Sequence, residues 1–270
     1  MKTFSRDPIT GIITGAEPFE FAPQGLSHTS DSHAVLFLHG WTASPRELHP
    51  MAEKIAGAGF HSKGILFPGH GRSVEDLRKV RFSDLYTAAE NAVDELAQNH
   101  SRISLCGLSL GGLICLILAK RKKISNLVLY APFLVPGGKT FGLPNRWVNR
   151  FLPSRDRLIP KTGTGPIFDP AALQNHIAYD SMPMPGLLEN CKEARKIWKS
   201  IPQITNPTLV FQSPHDLTSH PSGAERLIRE LGSRDKKLLV VPNSKHILTL
   251  DYDRERIEKE TVEWLGKRRG

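Results

Sequence analysis

The chain has 270 residues, 39% of them hydrophobic, and its 36 Lys+Arg outweigh 27 Asp+Glu to give a net charge of +9. A chain of that length can form one large domain whose core needs neither metal nor disulfide, and no apolar run approaches the roughly 20 residues of a membrane span. The opening Met1-Lys2-Thr3-Phe4-Ser5-Arg6-Asp7 has no apolar core of a secretion signal, so the expectation is a cytoplasmic protein without stable membrane insertion.

Cys106, Cys115 and Cys191 are an odd set without metal-ligand spacing, in apolar surroundings, and read as buried reduced thiols. The basic residues are scattered apart from Lys120-Arg121-Lys122-Lys123 and Lys267-Arg268-Arg269, both of which suit helix C-termini. No nucleic-acid-binding motif accompanies them, so nucleic acid is not expected as a partner.

In chain order, Pro18-Phe19-Glu20-Phe21 reads as a short edge strand and 24–32 as a polar turn. Residues 34–38 read as a central strand ending in His39-Gly40-Trp41, after which Ser44-Pro45 starts a helix with an N-cap serine. The next strand spans 59–67 and closes in the sharp turn Pro68-Gly69-His70-Gly71. An amphipathic helix at 82–98 puts Leu85, Ala89, Ala92, Val93 and Leu96 on one face. Strand 102–106, a helix from 112 and strand 126–130 follow. Residues 133–185 are rich in Pro and Gly and too long for a simple connection, which predicts a cap inserted into one domain spanning 1–270. Alternation then resumes: a helix carrying Leu187, Leu188, Cys191, Ala194, Trp198 and Ile201, strand 208–212, helix 224–231, strand 237–241 and helix 253–267. Repeated strand–helix units predict an α/β fold, a mostly parallel sheet with helices on both faces and a ligand crevice at the strands' carboxyl ends.

The most informative stretch is Gly107-Leu108-Ser109-Leu110-Gly111, between a β-branched apolar run and a helical one. The spacing alone arises by chance in roughly one chain in ten of this length, so the flanking strand and helix carry the signal. A turn that tight strains the serine backbone, and flanking glycines remove Cβ atoms that would collide with strand and helix. The turn is therefore a nucleophile elbow.

Two other residues sit at strand ends, Asp216 in Ser213-Pro214-His215-Asp216 and His246 in Asn243-Ser244-Lys245-His246. The order Ser, Asp, His is that of hydrolases with this kind of α/β fold. Serine is a poor nucleophile at neutral pH, so His246 must take its proton while Asp216 fixes the ring's tautomer. Asp251 and Asp253 are the alternative acids, although both look like helix-start residues. Oxyanion stabilisation needs backbone donors, and Leu110 and Trp41 are in position to supply them. His39 and His70 sit in turns near this site, where hydrogen bonding to loop backbone is the expected role. No His/Cys cluster or H-E-x-x-H appears, so no catalytic metal is expected. Trp147, Phe151 and Leu152 are the cap's candidate pocket residues.

These residues carry a family resemblance. Phe37-Leu38-His39-Gly40-Trp41-Thr42, Pro68-Gly69-His70-Gly71, Gly107-Leu108-Ser109-Leu110-Gly111-Gly112, His215-Asp216, and His246 followed by Leu250-Asp251 together resemble bacterial carboxylesterases and monoacylglycerol lipases of the α/β-hydrolase fold. The match runs from about Pro18 to the last helix and is weakest in the cap. The resemblance implies a serine hydrolase of short- to medium-chain esters or monoacylglycerols, working without a cofactor as a monomer or weak homodimer. That family usually has Phe or another apolar residue where Trp41 stands, a change that spares a backbone donor and narrows the acyl pocket. A thioesterase or acyltransferase with the same triad is the main rival. A non-catalytic binding protein would usually lack a triad residue, and a dehalogenase would need a carboxylate in place of Ser109.

Overall fold

A computed structural model describes residues 4–23, 33–137 and 157–269. Strands β1 (Phe19–Phe21), β2 (His33–Leu38) and β3 (His61–Gly64) come first, with helix α1 (His49–Gly57) between β2 and β3. Helices α2 (Val74–Arg78) and α3 (Phe82–Leu96), strand β4 (Arg102–Leu108), helix α4 (Leu110–Arg121) and strand β5 (Asn126–Tyr130) follow. Next come strand β6 (Leu158–Pro160), helix α5 (Pro170–Asn175), strand β7 (Ser181–Pro183) and helix α6 (Met184–Ile197). The chain closes with β8 (Thr208–Gln212), α7 (Ser222–Glu230), β9 (Lys236–Val240) and α8 (Arg254–Gly266).

Seven strands form one sheet in the order β1-β3-β2-β4-β5-β8-β9, parallel throughout except for the antiparallel edge β1. Strand β2 shows why the sheet is covered on both sides: every residue of it is buried. Its alternation sends Ala34, Leu36 and Leu38 into a cluster with α3, α4 and α6, and Val35 and Phe37 into a second cluster with α1 and α8. Helix α4 is buried on nearly all sides because it lies under both α3 and α6 while packing on β4 and β5. Strands β6 and β7 pair antiparallel as a separate two-stranded sheet.

Several boundaries differ from the sequence expectation, each for a local reason. Ser44 precedes a 3₁₀ turn at Pro45–Glu47 instead of an α-helix, and its side chain makes no cap bond; α1 begins only at His49. The predicted strand 59–67 pairs only over His61–Gly64, because Gly59 takes φ +92° and 65–67 already run into the Pro68-Gly69 turn. On α6 the buried face is Gly186, Leu187, Asn190, Ala194 and Ile197, so Leu188 turns outward and Cys191 is only half-buried. Cys106 and Cys115 are fully buried as expected, and burial raises the Cys106 thiol to about 12. Among the described residues no helix is long and apolar enough to cross a membrane. Trp147, Phe151 and Leu152 lie outside the described residues.

Candidate active site

The turn between β4 and α4 places Ser109 at φ 54°, ψ −111°, a conformation that L-residues seldom adopt. Strain of this kind persists only where the surroundings over-determine it. Here the Ser109 N–H donates to the Tyr130 carbonyl (2.9 Å) and the Ser109 carbonyl accepts from Phe133 N–H (2.9 Å), so the end of β5 and the segment just after it grip the turn from both sides. Gly111 is obligatory: a Cβ there would stand 1.9 Å from the Leu38 carbonyl oxygen. A Cβ on Gly107 would come within 2.5 Å of the Gly111 backbone. The elbow thus depends on α4 pressing against both β2 and β4.

Asp216 and His246 meet across the ends of β8 and β9. His246 Nδ1 lies 2.8 Å from Asp216 Oδ2, with both side chains buried. The carboxylate is held from behind: Oδ1 accepts from the N–H groups of Thr218 (2.8 Å) and Ser219 (2.9 Å), and Oδ2 accepts from Gln212 Nε2 (3.1 Å). An ionised carboxylate opposite Nδ1 fixes the proton on that nitrogen and leaves Nε2 as the acceptor. Loop joins loop as well, since the Ser213 hydroxyl donates to the Ser244 carbonyl.

Ser109 and His246 line one cavity together with Trp41 and Leu110. Between Ser109 and His246 the described residues show no hydrogen bond, a looseness common in hydrolases before substrate tightens the site. Leu110 is the first residue of α4, where an N–H has no intrahelical partner. Asp251 and Asp253 bond elsewhere. Asp251 accepts from the N–H groups of Phe168, Asp169, Lys245 and Tyr252, and Asp253 from Asn243 and Ser244.

A model of the family described as serine aminopeptidase, S33 (Hydrolase_4) matches residues 29–253, from just before β2 to just before α8. The chain belongs to that family. It is 29% identical over 268 residues to a thermostable monoacylglycerol lipase of Bacillus sp. (strain H-257), covering 96% of this chain and 98% of that protein. A carboxylesterase of Bacillus subtilis (strain 168) is 23% identical over 248 residues, covering 91% of this chain and 97% of its own. Among solved structures, one reported for the metagenome-derived lipolytic enzymes LipS and LipT superposes with TM-score 0.83 at 24% identity, over 95% of this chain and 99% of that one. The monoacylglycerol lipase of Paleococcus ferrophilus gives TM-score 0.76 at 20% identity, over 93% and 98% of the two chains. These superpositions establish the α/β-hydrolase fold.

Within this Hydrolase_4 site, His39 and His70 brace the loops. His39 Nε2 accepts from Phe67 N–H (3.1 Å) and Nδ1 donates to the Gly40 carbonyl (2.9 Å); His70 Nε2 accepts from Thr42 N–H (3.1 Å) and Nδ1 donates to the Pro68 carbonyl (3.0 Å). Each ring must therefore be neutral. Burial pushes the His70 pKa down to about 4, and burial together with the neighbouring His70 ring pushes that of His39 well below its ordinary value.

Some of the lining residues are invisible to sequence reasoning. Glu47 is buried although it follows an apparent helix start; its Oε2 accepts from Gly40 N–H (3.0 Å) and its Oε1 pairs with His176 Nε2 (2.8 Å). The Thr249 hydroxyl donates to the Glu47 carbonyl at 2.7 Å, tying that turn to the segment after His246. Tyr179 N–H donates to the Thr42 carbonyl (2.8 Å), so the 176–179 segment clasps the loop after β2. Segment 161–166 and Asn190 also line the cavity. A polar residue at 190 breaks the apolar stripe from which the helix face is read. Phe133 lines the cavity, while Leu134 packs in the core.

Proposed function

We propose that the protein hydrolyses carboxylic esters of short to medium acyl chain, monoacylglycerols among them, through an acyl-enzyme on Ser109. The observation that carries this reading is the 2.8 Å bond between His246 Nδ1 and Asp216 in a cavity shared with the strained Ser109 elbow. His246 Nε2 takes the Ser109 proton as the hydroxyl attacks the acyl carbonyl, then returns it to the leaving alcohol. The backbone N–H groups of Trp41 and Leu110 receive the negative charge of the tetrahedral oxygen. Water, activated by the same ring, attacks the acyl-enzyme and frees the acid. Asp216 keeps the ring in its tautomer and stabilises the imidazolium.

The curated relatives, a monoacylglycerol lipase and a carboxylesterase, support an ester as substrate, whereas the family description names an aminopeptidase. The chemistry of acyl transfer to serine is common to both. The segment 133–185 acts as the cap that sets acyl length, and its described part already contributes residues 161–166 to the cavity. Residues 147, 151 and 152 belong to that proposal as acyl contacts. The working form is a cytoplasmic monomer or weak homodimer whose partner is a small ester. Steady-state kinetics on p-nitrophenyl esters from acetyl to palmitoyl, on monoglyceryl esters and on amino-acid p-nitroanilides tests the assignment. Turnover peaking at short to medium esters is the expected result; cleavage of the anilides alone would overturn it.

A further inference from the structure

Segment 176–179, between α5 and β7, reaches the chain on both sides of Trp41, the residue proposed above as an oxyanion donor. On one side His176 Nε2 lies 2.8 Å from Glu47 Oε1, and Glu47 Oε2 accepts from Gly40 N–H at 3.0 Å. On the other, Tyr179 N–H donates to the Thr42 carbonyl at 2.8 Å. Glu47 and His176 are both buried, at 1% and 7% exposure. The segment is itself pinned. Ile177 forms a small buried cluster with Ile13 and Ala16, and the Tyr179 hydroxyl donates to the Gly69 carbonyl at 2.9 Å.

These contacts bear on the direction of one N–H. The Trp41 amide shares a trans peptide with the Gly40 carbonyl, which accepts from His39 Nδ1 at 2.9 Å. The two groups of such a peptide point in opposite directions, so holding the carbonyl aims the N–H. Glu47 fixes the preceding peptide through Gly40 N–H and so keeps Gly40 from turning. A Cβ built on Gly40 would stand 3.1 Å from Glu47 Oε2 and 3.7 Å from Ser109 Cβ, so the carboxylate and the nucleophile meet across this residue. Thr42, on the far side, takes φ 68°, a value that a residue with a side chain keeps only under constraint. His70 Nε2 holds its N–H at 3.1 Å while Tyr179 holds its carbonyl. A buried carboxylate that loses one of its partners turns to recover a bond, and here the turn would be passed to Gly40.

We infer that His176 is a positioning residue of the reaction, acting through Glu47 to keep the Gly40–Trp41 peptide with its N–H toward the tetrahedral oxygen. The seating of segment 176–179 is then felt in the chemical step. Substrate binding feels it little, because the carbonyl oxygen gains its charge only on the way to the tetrahedral intermediate. The inference rests on the ester-hydrolase reading and adds to it a residue outside the triad and the oxyanion donors. His176 also lines the cavity, so a direct contact with substrate is the alternative that the test separates.

The test measures kcat and KM on p-nitrophenyl butyrate and octanoate for wild type, His176→Ala, His176→Gln, Glu47→Gln and the Glu47→Gln/His176→Ala double variant. Inhibition by an alkyl trifluoromethyl ketone and by the methyl ketone of the same chain is measured beside it. The serine oxygen adds to the trifluoromethyl ketone carbonyl, its proton passes to His246 and the negative charge stays on the former carbonyl oxygen, so that affinity reads the oxyanion site. The methyl ketone reads binding alone. His176→Ala should lower kcat about tenfold, the worth of one hydrogen bond, with KM changed by less than about twofold. His176→Gln, whose amide nitrogen can reach the same carboxylate, should recover most of the loss. Affinity for the trifluoromethyl ketone should fall in step with kcat/KM, and affinity for the methyl ketone should hold. The double variant should be about as slow as the slower single variant, since both changes cut one link. Thermal melting checks folding, and His176→Asn, whose amide is too short to reach Glu47, replaces His176→Ala if that variant does not fold. A loss confined to KM makes His176 a substrate contact and overturns the inference. So do wild-type kcat in His176→Ala, losses that multiply in the double variant, or an unchanged trifluoromethyl ketone affinity beside a lowered kcat. A wild type that hydrolyses neither ester and binds both ketones alike overturns the ester reading as well.

Discussion

The two walls of the cavity differ in how their polar atoms are satisfied. On the sheet side, the Ser109 backbone, the Asp216 carboxylate and the rings of His39 and His70 each have named partners within 3.1 Å. On the α6 side, Asn190 Oδ1 and Trp41 Nε1 have none among the described residues. Groups whose hydrogen bonds are internal hold geometry, whereas a buried polar atom without a partner costs stability.

The sheet wall can be broken most severely at its centre. Ser109→Ala should lower kcat by about three to six orders of magnitude in a protein with unchanged circular dichroism and melting temperature. Activity near wild type would remove the elbow from the chemistry. Asp216→Asn should follow with a loss of up to about 10⁴-fold in kcat, since an amide cannot hold the proton on His246 Nδ1, and replacing Asp251 by Asn should lack that signature. The comparison to make is kcat at equal folded fraction for the two variants.

Gly111→Ala tests the packing beneath the elbow instead of its chemistry. The new methyl would collide with the Leu38 carbonyl, so denaturant unfolding should show a loss above about 4 kcal/mol or no soluble protein at all. A stable, active Gly111→Ala variant would mean that α4 can slide along β2, contrary to the tight wall described above.

The brace histidines predict a pH effect on stability. Their folded forms are neutral, with the His70 pKa lowered to about 4 and that of His39 lower than usual, while unfolded rings take up protons near 6.5. The unfolded state then binds more protons between those values, so this stabilisation is full above about pH 6.5 and is lost as pH falls toward 4. For His70 the amount is on the order of 3 kcal/mol. Urea midpoints at pH 7 and pH 5 for wild type and His70→Gln measure it; an equal acid loss in both would clear His70. The smallest effect sharpens the boundary between the walls. Glu47→Gln keeps the shape and removes the charge that joins Gly40 to His176, which should lower kcat about tenfold with KM little changed. A change confined to KM would place Glu47 in substrate binding instead.

How much of this was legible in the sequence follows the same division. Strands 126–130 and 208–212 match β5 and β8 residue for residue, because buried parallel strands are near-continuous apolar runs bounded by turns. The placement of Ser109, Asp216 and His246 beyond strand ends was legible, because strand ends are readable. The sequence left Asp251 and Asp253 as alternative acids that look like helix-start residues, and their observed partners, Phe168 and Asp169 for one and Asn243 and Ser244 for the other, set them apart from Asp216, which meets His246. Glu47, His176 and Asn190 were not legible, since nothing local distinguishes a buried polar residue with a distant partner from an exposed one. Glu47 and His176 are 129 positions apart. Asn190 interrupts the stripe on α6, so periodicity placed Leu188 and Cys191 inward and the observed buried face is rotated away from both. The 3₁₀ turn at Pro45–Glu47 escaped for a related reason: its geometry is set by Glu47 reaching back to Gly40, a contact that no capping rule encodes.

The claim on which the account rests is that Ser109 is the nucleophile, and covalent labelling tests it most directly. The intact protein, treated with a fluorophosphonate and digested, should yield one modified peptide with the adduct on Ser109 by mass spectrometry, and labelling should fall sharply in Asp216→Asn and His246→Ala. An adduct on another serine, or labelling that is unchanged in Ser109→Ala, would contradict it.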